Sequence, residues 1–228
     1  MTLGQVTIHI IFPNTISQEI ADACLTEDEK SRAARFHFPK DAVHWSACRA
    51  ALRQILAREI ARPPREVPLI FSEFGKPALA PPFDSLHFNL SHCPDLAIVA
   101  LCLDGQVGID LEAISRAPEL LECEKTFCHP EEIRVLSVDE TSRALQLLQI
   151  WTAKEAVLKA LGTGLSHAPQ LVHVHHRSAE VYVSSDTPLD GIENQQIHRL
   201  ENASLVNHAS ALSAPKTVNN IRISPHHI

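Results

Sequence analysis

The sequence predicts an α+β fold built from two similar units. Predicted elements run in the order strand, helices and strands, and then helices and strands again along the 228 residues. A chain of this length can form one large domain or two small ones with a buried core. Its hydrophobic fraction of 45% and charged fraction of 21% are those of an ordinary globular protein. We expect two halves, residues 1–104 and 105–228, joined near Asp104-Gly105.

The first half is predicted to open with a strand and to continue with two helices. Residues 6–11, VTIHII, form a β-rich run. Thr26 and Glu29 have the spacing of a capping box, which starts a helix that Pro39 stops. Asp41 is the predicted N-cap of a longer helix, in which apolar residues recur at three- and four-residue steps until a pair of prolines ends it.

Strand patterns replace helical ones after this helix. Residues 69–79 are rich in β-branched and aromatic residues around the turn Gly75-Lys76-Pro77. Residues 86–92, LHFNLSH, alternate between two faces. The stretch LAIVALCLDGQVGIDLE places Asp104-Gly105, a type I′ turn signal, between two apolar runs, and it therefore predicts a β-hairpin.

The second half is predicted to return to helices. Residues 118–134 have helical character, with a helix start at Pro130. A long helix over residues 142–161 ends at Gly162-Thr163-Gly164, a glycine stop. The β-rich pieces after residue 170 carry no motif that identifies a function.

Charge and hydropathy exclude several classes of protein. A net charge of −7 argues against broad nucleic-acid binding, which depends on neutralising phosphates. The chain has no run of about 18 apolar residues, so no membrane span is predicted. The first residues lack the basic segment and cleavage site of a signal peptide, so we expect a cytoplasmic protein. Cys123, Cys128 and His129 lie close in sequence, but no second cluster accompanies them and no zinc site is predicted there.

Two carboxylates on a predicted strand indicate a metal site. Asp110 and Glu112 are two residues apart, so their side chains share one face while Ile109 and Leu111 face a core. Adjacent carboxylates repel each other unless a cation lies between them, and Mg²⁺ binds one or two carboxylates and fills its shell with water and phosphates. Such a pair also occurs on strands that only face solvent, and this alternative stays open at this point.

The helix IWTAKEAVLKALGTGL, residues 150–165, carries a third carboxylate. One face of this helix carries Trp151, Glu155 and Lys159, which follow one another at steps of four residues. Lys154 lies on a different face. Glu155 and Lys159 have the favourable order for an ion pair that stabilises a helix by roughly 0.2–0.5 kcal/mol. Spacing alone does not distinguish this structural pair from a functional one.

The ordered elements FNLSH, VGIDLE and WTAKEAVLKALGTGL together resemble the 4′-phosphopantetheinyl transferases of the surfactin-synthetase-activating type. Further matches are Arg35-Phe36, Gly75-Lys76-Pro77 and FCHPEE at 127–132, so the resemblance spans about residues 25–166. It implies two subdomains related by a pseudo-twofold, with the active site at their interface.

The resemblance also implies a reaction and its residues. The phosphopantetheine arm of coenzyme A would pass to a serine of an apo acyl or peptidyl carrier protein, with release of adenosine 3′,5′-bisphosphate. Mg²⁺, or Mn²⁺ in its place, would be held by Asp110, Glu112 and Glu155. Glu155, directly or through a water, would be the base for the serine, and Lys159 would brace the pyrophosphate or donate a proton to the leaving group. The residues expected to bind coenzyme A are Arg32, His44, Lys76, Ser91, His92 and Lys159.

Two positions depart from the pattern that the resemblance implies. His44 stands where an arginine usually clamps the 3′-phosphate, so we expect a coenzyme affinity that depends on pH, or help from a neighbour such as Arg49. Glu29 stands where some relatives have a lysine.

Two other functions remain open on the sequence alone. A Mg²⁺-dependent phosphohydrolase could use the same carboxylates, and a non-catalytic module could bind coenzyme A or a carrier protein. We expect a monomer that binds neither nucleic acid nor membrane, and no short motif identifies its carrier protein.

Overall fold

The chain folds into two main β-sheets and a small two-stranded one. The computed structural model describes residues 1–177 and 180–226. The strands are β1 (Gln5–Ile11), β2 (Leu69–Phe71), β3 (Pro77–Leu79), β4 (His87–His92), β5 (Ala97–Cys102), β6 (Gly108–Ala113), β7 (Val172–Arg177), β8 (Glu180–Ser185), β9 (Gln195–Arg199), β10 (His208–Pro215) and β11 (Asn220–Pro225). The first sheet has the order β11-β1-β5-β4, the second has the order β6-β10-β9-β8-β7, and β2 pairs with β3.

Two long helices are the main partners of the sheets. The helices are α1 (Gln18–Cys24), α2 (Glu27–Ala33), α3 (Pro39–Ile60), α4 (Glu124–Phe127), α5 (Pro130–Val135) and α6 (Glu140–Leu161). Helices α3 and α6 each have 22 residues. None of the helices in the described parts of the chain combines the length and the apolar character that a membrane span requires.

The layers follow the order helix, sheet, sheet, helix. Along β5, residues 97, 99 and 101 pack in the core with α3, whereas residues 98, 100 and 102 pack against Ile109, Leu111 and Leu212 of the second sheet. The opposite face of the second sheet contacts α6, since Ala211 of β10 packs against Ala156 and Val157 of α6. One sheet and one long helix thus occur twice, which confirms the predicted α+β class and agrees with two similar subdomains.

The hairpin prediction at Asp104-Gly105 is wrong, because β5 and β6 belong to different sheets. Both strands are buried on both faces along most of their length, so their sequence does not specify a single partner. The chain crosses between sheets here instead of reversing. The carboxylate of Asp104 accepts hydrogen bonds from the backbone N–H of Gly4 at 2.8 and 3.0 Å, which fixes this crossing to the start of β1.

Helix boundaries differ from the prediction in both halves. In the second half, the predicted helical segment 118–134 includes the two short helices α4 and α5, and the long helix begins at Glu140. Helix α3 begins at Pro39 with Phe38 as its N-cap, and Asp41 lies in its first turn. Proline suits the first helical position because its missing N–H would have no partner there. The capping box of Thr26 and Glu29 is present, but α2 already ends at Ala33.

The division of the chain between residues 104 and 105 stays a prediction. Strand β11 lies in the first sheet, where it runs parallel to β1. The chain therefore returns to the first sheet after the second sheet is complete.

Side chains of β4 join the edges of the two sheets. Asn89 accepts a hydrogen bond at its Oδ1 from the N–H of Ile109 at 2.9 Å, and Ser91 accepts one at its Oγ from the N–H of Leu111 at 3.2 Å. Asn89 and Ser91 are two residues apart, so they lie on the same face of β4. Their side chains take the place of backbone hydrogen bonds between β4 and β6. This junction positions the candidate site.

Candidate active site

Gly108 lets strand β6 lie directly against helix α6. A Cβ at this position would overlap the carbonyl oxygen of Ala156 and the amide nitrogen of Ala160. Because a glycine allows this close approach, the following residues of β6 lie beside the polar stripe of α6. The glycine of the VGIDLE motif is therefore a packing requirement for the site.

Asp110 lies at the centre of the junction between the halves. It is 3% exposed, and its Oδ1 lies 2.5 Å from Nζ of Lys159 and accepts a hydrogen bond from Oγ of Ser91 at 3.0 Å. Its Oδ2 is buried and has no hydrogen-bond partner among the described residues. A buried carboxylate oxygen without a donor is costly, and a bound cation would satisfy it.

Glu155 and Glu112 lie near Asp110 but have different partners. Glu155 is 4.0 Å from Nζ of Lys159, farther than Asp110 is, so the expected helical ion pair is the weaker contact of this lysine. Burial raises the pKa of Glu155, and Asp110 and Glu112 raise it further while Lys159 opposes them. Glu112 forms an ion pair with Arg116 at 2.7 Å.

The donor set fits a hard divalent cation. Three carboxylates lie within electrostatic reach of one another, and one of them has an unsatisfied buried oxygen. In the described parts of the chain they do not gather into one closely spaced ligand group, because Asp110 contacts Lys159 and Glu112 contacts Arg116. A cation would displace the Lys159 ammonium from Asp110.

His44 and His92 meet at the end of β4, beside a cleft of about 740 Å³. Nε2 of His44 lies 3.2 Å from Nδ1 of His92, and Sγ of Cys48 lies 3.6 Å from the same Nε2. Burial lowers the pKa of both imidazoles. Both histidines were predicted from the sequence as coenzyme-binding residues, but Cys48 was not. Its position one helical turn after His44 is the signal that could have revealed it.

Basic residues surround Trp45 next to these histidines. The guanidinium carbons of Arg32 and Arg49 each lie 5.3 Å from the centre of the Trp45 ring. Arg49 lies 3.6 Å from Glu29, while its Nη1 is buried without a hydrogen-bond partner among the described residues. Arg49 can therefore still donate to an anion. Glu29, which lies on α2, also forms an ion pair at 2.6 Å with Arg53 of α3. This carboxylate therefore holds α2 against α3.

Lys76 connects the two halves of the protein. Its Nζ donates to the backbone oxygen of Ala160 at 2.7 Å and to Oε1 of Gln106 at 2.8 Å. Burial lowers the pKa of Lys76 to about 8. The lysine thus already uses its donors on protein oxygens.

Lys154, next to Glu155 in sequence, has a structural position. It is fully buried, forms an ion pair with Glu132 at 2.7 Å and donates to the backbone oxygen of Phe127 at 2.8 Å. Trp151 packs its ring on that of Phe127, with ring centres 5.3 Å apart. Within the motif WTAKEAVLK, Trp151 and Lys154 therefore hold the helix in place, whereas Glu155 and Lys159 face the junction.

Two family models together match most of the chain. Residues 13–103 match the N-terminal model of a 4′-phosphopantetheinyl transferase, and residues 106–209 match the 4′-phosphopantetheinyl transferase superfamily. The gap between these matches falls at the crossing between the two sheets.

Individual proteins show the same relationship. The 4′-phosphopantetheinyl transferase HetI of Nostoc sp. is 36% identical over 162 residues, which are 70% of this chain and 68% of that protein. The human L-aminoadipate-semialdehyde dehydrogenase-phosphopantetheinyl transferase is 29% identical over 200 residues, which are 81% of this chain and 65% of that protein.

A solved structure, the holo-[acyl-carrier-protein] synthase of Thermotoga maritima, matches 47% of this chain and 61% of that chain with a TM-score of 0.41 and 23% identity. The family assignment comes from the sequence matches over both halves. The chain belongs to the 4′-phosphopantetheinyl transferase superfamily.

Proposed function

We propose that this chain transfers the 4′-phosphopantetheine arm of coenzyme A to a serine of an apo acyl or peptidyl carrier protein, and that it acts as a monomer. The observation that carries the proposal is the junction at Asp110, where a buried carboxylate with one unsatisfied oxygen meets Lys159, Glu155 and Ser91 between the two matched halves.

The carboxylates would hold a divalent cation, Mg²⁺ or Mn²⁺. Asp110, Glu112 and Glu155 supply the oxygen ligands that such ions prefer. When bound, the cation would neutralise the pyrophosphate of coenzyme A and the charge that develops on the leaving phosphate.

Glu155 is suited to remove the proton of the carrier serine. A serine hydroxyl is a weak nucleophile and needs a base, and a carboxylate whose pKa is raised by burial holds a proton more readily than an exposed one. The serine oxygen would bond to the phosphorus next to the pantetheine arm. The bond from that phosphorus to the bridging oxygen would break, so that adenosine 3′,5′-bisphosphate leaves and the serine proton passes to Glu155.

Lys159 and the residues around the cleft would hold the coenzyme. The ammonium of Lys159 lies next to Ser91 and would brace the pyrophosphate once Asp110 binds the cation. His44 and His92 border the cleft and would contact phosphate oxygens. Arg49 is suited to support them because it lines the adjoining cavity with Trp45 and His92, and because its Nη1 has no hydrogen-bond partner among the described residues.

The test is to incubate the purified chain with coenzyme A, Mg²⁺ and a panel of apo carrier proteins, and to measure the mass of each carrier. We expect at least one carrier to gain the mass of one phosphopantetheine arm. The same carrier with its acceptor serine replaced by alanine is the control and should gain nothing. No gain on any carrier, together with release of phosphate from simple esters, would instead support a phosphohydrolase.

A further inference from the structure

Three side chains at the edge of the cleft form a cluster that the proposed transfer does not require as a unit. His44 and Cys48 are one turn apart on α3, and His92 ends β4. One nitrogen from each imidazole and the sulfur of Cys48 all lie within 4.8 Å of one another. Two of these separations are 3.2 and 3.6 Å.

These distances suit a tetrahedral ion. Zinc binds histidine nitrogen at about 2.0–2.1 Å and cysteine sulfur at about 2.3 Å, so two ligand atoms around it lie roughly 3.3–3.8 Å apart. The separations of 3.2 and 3.6 Å already lie at or close to this range. The remaining pair lies within 4.8 Å.

The ligand types distinguish this cluster from the carboxylates at Asp110. Two imidazoles and a thiolate favour Zn²⁺, whereas Mg²⁺ prefers oxygen. Both imidazole pKa values are lowered by burial, so their nitrogens are available as neutral ligands. Burial raises the pKa of the Cys48 thiol to about 12, and Arg49 opposes this rise, so the metal itself must displace the thiol proton. Arg49 near Cys48 and Lys159 near His92 oppose a cation, and the thiolate formed on binding offsets part of this charge.

We propose that His44, Cys48 and His92 form a zinc-binding site whose fourth position opens to the cleft. Cys48 supplies the anchor because it is 1% exposed, while His44 and His92 approach from the side of the cleft. The S–H bond of Cys48 breaks as the Zn–S bond forms, and one proton is released to solvent. Three protein ligands leave one position for water or a phosphate oxygen.

Titration of the metal-free chain with Co²⁺, followed by displacement with Zn²⁺, tests this site without any transfer assay. We expect one equivalent of Co²⁺ to give the absorption of a tetrahedral cobalt–thiolate centre, and Zn²⁺ to abolish it. Cys48→Ser and His44→Ala should each weaken Zn²⁺ binding at least about 100-fold, since the loss of even a residue that only orients a ligand weakens binding about 10–100-fold. His44 is partly exposed, so His44→Ala should fold even if Cys48→Ser does not.

Two control variants complete the test. Cys24→Ser removes another buried thiol, which lies on α1 and outside this cluster, and should bind Zn²⁺ as the wild type does. Asp110→Asn should do the same. Zn²⁺ binding that survives Cys48→Ser and His44→Ala, or that is lost in Asp110→Asn, would overturn the proposal, as would the absence of the cobalt–thiolate absorption.

Discussion

Lys159 and Asp110 form the closest charged contact of the candidate site. Their atoms lie 2.5 Å apart, and Asp110 is almost completely buried. The lysine thus acts as the counter-ion of the carboxylate that we propose as a metal ligand. Since a buried charge without a partner is strongly unfavourable, an exchange of lysine for a cation would keep Asp110 neutralised throughout.

Glu155→Gln should abolish transfer and stabilise the metal-free protein. The amide cannot accept the serine proton, so we expect kcat to fall at least about 100-fold. Burial and the nearby carboxylates raise the pKa of Glu155, which means that its charged form is unfavourable in the folded state. Without metal, the variant should therefore unfold at a higher temperature than the wild type.

The exposed carboxylate Glu193 provides the control for this substitution. Glu193→Gln should change neither kcat nor the unfolding temperature. Transfer that persists in Glu155→Gln would reject the role of Glu155 as base and metal ligand.

His44→Arg should bind coenzyme A more tightly than the wild type. It should also lack the pH dependence of coenzyme affinity that we expect in the wild type. Burial lowers the pKa of His44, although Asp41 raises it in part, so the imidazole is mostly neutral at neutral pH. We expect its affinity for phosphate, and with it 1/KM for coenzyme A, to rise as the pH falls from about 8 to about 6. An arginine stays charged throughout, and we expect KM about 10-fold lower at pH 8.

The measurement is KM for coenzyme A across this pH range in zinc-free buffer. At each pH, the KM of the wild type is divided by the KM of His44→Arg. The titration of the coenzyme phosphates affects both values alike, so it cancels in this ratio. A ratio that does not change with pH would contradict this prediction.

Among the elements, strand β6 and helix α6 depend on each other through Gly108. Gly108→Ala should destabilise the fold by about 3 kcal/mol or more, because the added methyl group meets the backbone of α6, which cannot rotate away. Urea unfolding followed by tryptophan fluorescence measures this cost.

Gly75→Ala is the matched control, since its added Cβ would meet nothing within 4 Å. Its positive φ of 80° should still cost about 1–2 kcal/mol. Equal losses in the two variants would show that the close approach of β6 to α6 is not what requires glycine.

Helix α6 is also held by the buried ion pair of Lys154 and Glu132. Lys154→Met would leave a buried carboxylate without its cation, and we expect a loss of about 3–5 kcal/mol in the free energy of unfolding. Lys30→Met removes the exposed pair of Lys30 with Glu27 and should leave the free energy of unfolding nearly unchanged. A small loss in both variants would contradict a structural role for Lys154.

At the scale of the whole molecule, the two halves are joined by hydrogen bonds of Asn89, Ser91 and Lys76. Lys76 has no carboxylate partner in its contacts within the described residues, which is why burial lowers its pKa to about 8. The loss of its charge should therefore favour the folded state.

Stability should rise with pH in a way that depends on Lys76. The unfolded chain has an ordinary lysine pKa of about 10.4, so between about pH 8 and pH 10.4 it binds more protons than the folded chain. The free energy of unfolding of the wild type, relative to that of Lys76→Met, should increase across this interval by an amount of the order of 2 kcal/mol. Urea unfolding of both proteins at about pH 7.5 and about pH 9.5 measures this difference. A constant difference would contradict the prediction.

The sequence predicted local elements better than it predicted the connections between strands. The capping box at Thr26, the strand of residues 86–92 and the glycine end of α6 all follow from contacts within a few residues, and all are present. The hairpin at Asp104-Gly105 failed because a strand buried on both faces carries no pattern that identifies its neighbour.

The sequence by itself determined the class of fold, the family and the carboxylates of the candidate site, because caps, periodicities and ordered motifs are properties of neighbouring residues. Only the tertiary structure decided that β11 lies beside β1, that Asn89 and Ser91 join the sheets, and that Cys48 meets His44 and His92. These contacts link residues that lie far apart in the chain. They form because the two sheets bury their facing apolar surfaces against each other, and because α3 buries its apolar face on the other side of the first sheet.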